Sequence, residues 1–225
     1  MKRNSTKAQD TNNISSEQAQ EIDYVKLSCK KSTKIKKALY MFFDWLLPDY
    51  IWGVFGKVAN KIRVFFARRL SKGIDKHVVI RKGADMFPGV VLERNVTIGR
   101  HVSLNWGVTI KEGVRVGKYT TFHTQNHKRN PEKRCYEGLT EIRPITVGKN
   151  AWIGEKVTVL SGVEIGDFTT IGAASVVTKS IPANCMACGN PAVVKKTYDD
   201  VRTEMPDGEE TVGAEQSVGT EGVNE

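Results

Sequence analysis

Several common signatures are missing or thin in this sequence. Four cysteines in 225 residues, Cys29, Cys135, Cys185 and Cys188, are too few for a disulfide-stapled scaffold of this length. Cys185 and Cys188 form a CxxC, a redox or zinc pattern, yet no second CxxC completes a structural zinc site. The first 32 residues are polar and lack the apolar core of a secretory signal, which predicts a flexible arm on a cytoplasmic chain. No apolar run is clean enough to cross a bilayer. The nearest, Ala38 to Phe55, is broken by Asp44, Pro48 and Asp49. No recognised nucleic-acid-binding motif accompanies the positive charge, so none is expected to bind.

What charge there is lies unevenly. The chain carries a net charge of +9 with a pI near 9.4, which suits an anionic partner such as a phosphorylated cofactor or an anionic lipid. From Asp199 to Glu225 nine acids face one base, Arg202, so this aperiodic tail is expected to be disordered.

The centre of the chain is a period of six. Large apolar residues recur as Ile80, Met86, Leu92, Ile98, Leu104, Ile110, Val116 and Phe122, then as Val147, Ile153, Val159, Ile165, Ile171 and Val177. Two positions earlier runs a smaller series, from Val78 and Ala84 to Thr120, then from Ile145 and Ala151 to Thr169 and Ser175. Neither helix nor ordinary strand has this period. Short strands and tight turns, each copy covering its neighbour, make a parallel β-helix. Glycines directly after the large residue (Gly99, Gly117, Gly148, Gly154, Gly166 and Gly172) are expected to supply positive φ at the turns.

Between Phe122 and Val147 the phase slips by one residue, so a loop must leave the stack there, spanning 125–144. Its polar composition cannot be core, and long excursions from regular folds usually serve function. The helical spacing of Leu39, Phe42, Phe43, Leu46 and Leu47, and of Val58, Ile62, Phe65 and Phe66, predicts two amphipathic helices within 33–72, divided at Pro48 and Gly53 to Gly56. These helices either seal the first coil or lie on an anionic membrane, with Lys34, Lys36, Lys37, Lys57, Lys61, Arg63, Arg68 and Arg69 beside the aromatics. The resulting division is an arm at 1–32, helices at 33–72, a β-helix at 73–198 and an acidic tail at 199–225.

Ala151-Trp152-Ile153-Gly154, Ile171 to Lys179 and Gly189-Asn190-Pro191-Ala192 together resemble the hexapeptide-repeat acyltransferases. Among these the chain is most similar to sugar O-acetyltransferases of the maltose, galactoside and capsular or exopolysaccharide type, over about Val78 to Lys196. The resemblance implies a left-handed β-helix, a homotrimer, acetyl-CoA as donor and a small-molecule or lipid-linked sugar as acceptor. It places His127, in Thr124-Gln125-Asn126-His127, at the catalytic histidine. A neutral imidazole, with an ordinary pKa of ~6.5, can take a proton from an attacking hydroxyl. Asn105 resembles the asparagine beside the transferred acyl group. Where several family members have an aspartate about seven or eight residues later, this chain has Glu112 and Gly113.

Trp152 resembles the tryptophan of the coenzyme A channel. Ala173 and Ala174 would let the pantetheine arm approach the backbone, and Thr178, Lys179 and Lys196 would meet the nucleotide end. An arginine common after Gly-Asn-Pro is replaced by Val193. No serine or cysteine with a paired base points to an acyl-enzyme. No metal is expected in this reading, but two others stay open: a γ-class carbonic anhydrase-like zinc hydratase built on His101, His123 and His127 across a subunit boundary, and a silent β-helix scaffold. Within the transferases, a serine or aminosugar acceptor is a further alternative. A place on the inner face of a membrane would fit the lipid-linked acceptor.

Overall fold

The computed structural model describes residues 30–49 and 53–198. The acidic tail, most of the N-terminal arm, Cys29, Tyr50 and Trp52 lie outside the described residues.

The period of six becomes a prism with three parallel faces. The first face holds β1 (Val79–Ile80), β4 (Thr97–Ile98), β7 (Arg115–Val116), β12 (Trp152–Ile153), β15 (Thr170–Ile171), β17 (Cys185–Gly189) and β18 (Ala192–Thr197). The second holds β2 (Asp85–Met86), β5 (Ser103–Leu104), β8 (Thr121–Phe122), β13 (Thr158–Val159) and β16 (Val176–Val177). The third holds β3 (Val91–Leu92), β6 (Val108–Ile110), β11 (Ile145–Val147) and β14 (Glu164–Ile165). In the regular coils each strand pairs in parallel with the one 18 residues on, as Val79 with Thr97 and Leu104 with Phe122. At the last coil the step is 16, as Thr170 with Met186, and β18 returns antiparallel to β17. Three hexads therefore close one coil, and every large residue of the series stacks on its equivalent in the interior.

Both series are buried, with Ile80, Leu92, Ile98, Leu104, Phe122, Ile153 and Val177 at 0% exposure. The hydroxyls that interrupt the smaller series are buried only because the backbone takes them up. Thr120 Oγ1 donates to Gly154 O at 2.8 Å and accepts from Val157 N at 3.2 Å. Ser175 Oγ donates to Gly172 O at 2.7 Å and accepts from Gly189 N at 3.1 Å.

The glycines after the large residues work differently from the sequence expectation. None has a positive φ; the left-handed residue comes two places later, as at His101, Tyr119, Asn150, Lys156, Phe168 and Ala174. What Gly99, Gly117 and Gly154 provide is closeness. A Cβ on Gly117 would stand 2.6 Å from Glu155 N, and one on Gly154 2.6 Å from Ala173 N. Stacked coils leave no room for a side chain there.

The phase slip is a β-hairpin rather than an irregular loop. Strand β9 (Gln125–Asn130) pairs antiparallel with β10 (Cys135–Ile142), setting His127 opposite Thr140. Across the excursion the ladder partners are 37 residues apart, as Val108 and Ile145, against 18 in the coils on either side, so the hairpin adds 19 residues and the prism resumes in register.

Helices α1 (Lys31–Leu46) and α2 (Gly53–Leu70) sit on the open end of the first coil. The chain breaks at Leu47 to Asp49 and beyond, while Gly56 is buried inside α2 instead of dividing the helices. The first coil has no earlier strand to pair with, and side chains satisfy its backbone instead. Asn60 clamps β1, its Nδ2 donating to Val78 O at 3.1 Å and its Oδ1 accepting from Ile80 N at 2.8 Å. Tyr40 Oη donates to Ala84 O at 2.7 Å, and Asp44 Oδ2 accepts from Gly83 N at 2.8 Å. Asp44 Oδ1 also accepts from Nε of the fully buried Arg63 at 2.8 Å, while Arg63 Nη2 holds the carbonyls of Leu47 and Pro48 at 2.9 and 2.6 Å. The residues that break the apolar run thus fasten the cap. Among the described residues no helix is long and apolar enough to cross a membrane.

Candidate active site

The corner between the second and third faces gathers the acceptor-side candidates. Register places the residue after each large side chain of the second face in one column: Phe87, Asn105, His123, Leu160 and Thr178. Asn105 is half-buried, His123 is exposed, and the two stand one coil apart, about 4.8 Å by strand spacing. Thr178 and the adjacent Lys179 lie two coils beyond His123 on this same corner, both exposed. The hairpin leaves from here. Thr124 is fully buried at its root, His127 projects from β9 as an exposed residue, and Arg143 N donates to Thr124 O at 2.8 Å to close the root. Asn126 Nδ2 donates to Ser161 Oγ, tying the arm to the following coil. Arg143 pairs with Glu141 at 3.0 Å on the other strand.

Two buried polar atoms at this corner escaped the sequence reading. Among the described residues, Trp106 Nε1 and Thr124 Oγ1 have no hydrogen-bond partner. They occupy consecutive coils of the next column, immediately beside Asn105 and His123. An orphaned donor or acceptor in a buried setting is costly unless something satisfies it, which marks the corner as a place for a polar ligand. The only sequence signal was their adjacency to Asn105 and His127. Trp106 also packs its ring against Phe87, with centroids 4.4 Å apart.

The donor-side candidates lie elsewhere on the prism. Trp152 is 59% exposed on the first face. The register runs from it through Thr170 and Met186 to Lys196, so Trp152 and Lys196 share one row across four strands. Ala173 and Ala174 are exposed at the corner between the first and second faces, Ala174 with φ 57° and its N donating to Glu155 O at 2.8 Å. Asn105, Thr178 and Lys179 are therefore brought together with the root of the His127 arm. Trp152, Lys196, Ala173 and Ala174 are not: within one chain the width of the second face separates them from it.

The zinc-hydratase set does not assemble within the chain. His101 sits at the corner between the first and second faces, stacked on Tyr119 at 5.1 Å, away from the corner of His123 and His127. Among the described residues no three His, Cys, Asp or Glu side chains are grouped to hold a metal ion. Cys185 is buried against the last coil, its Sγ donating to Pro182 O at 3.2 Å, and Cys188 is half-buried against Gly172, so the CxxC packs the end of the prism.

Residues 144–179 match the family model of the bacterial transferase hexapeptide (six repeats). Among solved structures, a maltose O-acetyltransferase from Clostridium difficile 630 superposes with a TM-score of 0.55 at 22% identity, covering 77% of this chain and 91% of that one. The polySia specific acetyltransferase NeuO gives a TM-score of 0.49 at 25% identity over 60% of this chain and 65% of that one. A galactoside acetyltransferase in complex with coenzyme A gives 0.43 at 23% identity over 83% and 92%. The first of these, at 22% identity, shows a likeness of fold. No curated protein matches the chain in sequence. The repeat that the family model covers in 144–179 recurs on all three faces of the prism, so the chain is similar in repeat to the bacterial transferase hexapeptide and in fold to the maltose O-acetyltransferase structure.

Proposed function

We propose that the chain is a cytoplasmic acetyltransferase that moves an acetyl group from acetyl-CoA to a hydroxyl of a sugar or polysaccharide precursor, with His127 as general base. The observation that carries this reading is the hairpin. A prism otherwise regular to the residue ejects one arm, and that arm presents an exposed imidazole beside a corner holding Asn105 and two orphaned polar atoms.

In this reading an imidazole nitrogen of His127 accepts the proton of the acceptor hydroxyl as its oxygen attacks the thioester carbonyl. The carbon–sulfur bond breaks, the acyl group stays on the new oxygen, and the departing thiolate of coenzyme A recovers the proton. Asn105 holds the acceptor or the carbonyl without adding charge. Trp152 and the small Ala173 and Ala174 border the pantetheine arm, and Thr178, Lys179 and Lys196 meet the phosphates.

The separation of the two residue sets supports assembly. In one chain the arm and the Trp152 wall flank opposite sides of the second face, whereas in a homotrimer the arm of one copy can face the wall of the next across a groove. Direct transfer then needs only that both substrates share that groove.

Release of free thiol from acetyl-CoA, measured with a panel of nucleotide sugars and lipid-linked oligosaccharides, tests the reading. The His127→Ala variant should lose about 10²- to 10⁴-fold in turnover while cofactor binding survives. Full turnover in that variant rejects His127 as the base, and activity confined to serine or aminosugars moves the acceptor to those classes.

A further inference from the structure

Both capping helices turn large apolar side chains away from the prism, and α1 is amphipathic in the opposite sense to a helix that seals a core. On α1 the buried face is the polar one: Thr33, Tyr40 and Asp44 point at the prism, and Lys37 reaches over the Phe87 ring at 3.4 Å. The apolar stripe at helical spacing, Ile35, Leu39, Phe42 and Leu46, points outward with 43–56% of its surface free, beside Trp45 at 71%. Helix α2 buries a mostly apolar face that includes Leu70 in the core, yet it too leaves large apolar side chains outside. Asn60 and Arg63 are buried with Ala59, Val64 and Ala67, while Val54, Phe55, Val58 and Phe65 are exposed, Phe55 at 78%. The helices thus cap the first coil, fastened by Asn60, Tyr40 and Asp44 and packed through Val64, Ala67, Leu70 and Phe66, while these other apolar side chains stay free. Arg63, expected among the surface cations, is instead buried against Asp44.

Contiguous apolar surface of this kind marks an interaction site. Its charge identifies the partner. Lys57, Lys61, Arg68 and Arg69 are exposed on α2, and Lys34 and Lys36 on α1. The one acid in either helix, Asp44, is buried against Arg63, and Asp49 beyond α1 is buried against Arg81 and Arg100. Arg69 lies over the Phe65 ring at 4.2 Å, its stem along the apolar stripe and its cation at the rim.

We infer that α1 and α2 together form a docking face for the surface of an anionic lipid bilayer, the aromatics entering the interface and the rim of cations meeting the headgroups. A second copy is the poorer occupant, because the same helices meeting each other would set cation against cation. Neither helix spans, so attachment is peripheral and reversible. This inference does not depend on the acyl-transfer reading.

Flotation of the full chain with phosphatidylglycerol–phosphatidylcholine vesicles, against phosphatidylcholine alone, tests it. Binding should require the anionic lipid and weaken as salt shortens the Debye length from ~10 Å at 0.1 M to ~3 Å at 1 M. The double variant Trp45→Gln/Phe55→Gln alters side chains that touch none of the capping hydrogen bonds, so it should keep the parent's melting temperature yet bind at least about tenfold more weakly. Lys57→Glu/Lys61→Glu should lose a similar factor. Equal recovery with both vesicle types, or unchanged binding by the Gln variant, overturns the inference. So does a Gln variant that dissociates in light scattering, which would assign the face to a second copy.

Discussion

At the scale of the residue, Gly154 illustrates what one missing atom secures. Its role is legible in the sequence as a glycine at a fixed place in the hexad, but the reason is not. Positive φ belongs to Lys156, two places on, whereas Gly154 lies against Ala173 of the next coil. A close approach between residues 19 apart leaves no trace in a local reading. Gly154→Ala should destabilise by roughly 1–3 kcal/mol, the range for forcing atoms into a filled space, because the obstructing atom is backbone and cannot swing aside. Gly162→Ala makes the informative comparison: its nearest neighbour is the Arg143 side chain at 3.4 Å, so strain at its φ of +76° dominates, about 1–2 kcal/mol. Thermal melts of the two variants check both values; a Gly154→Ala protein as stable as its parent would mean that the coils can separate.

At the scale of the element, helix α1 depends on one phenol. Tyr40 is 1% exposed, and its hydroxyl is the partner of Ala84 O. Tyr40→Phe leaves that carbonyl without its donor and should lower stability by about 1–3 kcal/mol at neutral pH. Burial first, and the nearby Asp44 carboxylate second, hold the Tyr40 ionisation well above the ordinary tyrosine range. A raised folded-state value favours the protonated fold, so this stabilisation is complete below the unfolded pKa of ~10 and is lost as pH rises through the folded value. Melting curves from neutral to strongly alkaline pH should show that loss in the parent, and the Phe variant should lack the Tyr40 share of it. The existence and helical period of α1 could be read from the sequence, but its facing could not. An apolar stripe is ordinarily the buried side, and only the tertiary hydrogen bonds of Tyr40, Asp44 and Asn60 reverse it. The excursion was legible for the same reason that its form was not. A slip of one in six betrays an insertion, while the antiparallel pairing of β9 with β10 has no strong alternation in so polar a segment.

At the scale of the whole molecule, the split between the His127 arm and the Trp152 row makes assembly testable by complementation. The His127→Ala and Trp152→Ala proteins should each be impaired in thiol release. Refolded together, they should recover part of the parent's rate, since some grooves then combine an intact arm from one copy with an intact wall from another. No recovery from the mixture would place base and donor wall in a single chain. The periodic core was written plainly in the sequence because each coil repeats the same demand. The site was only half visible there, since Trp106 and Thr124 become notable only when burial isolates their polar atoms. The 19-residue arm also has a broader meaning. Since the ladder from Val108 to Ile145 closes as if nothing had been inserted, that corner works as a socket: appendages of other lengths and chemistries can be grafted there without retuning the shaft, so what the corner presents can diversify while the frame stays fixed.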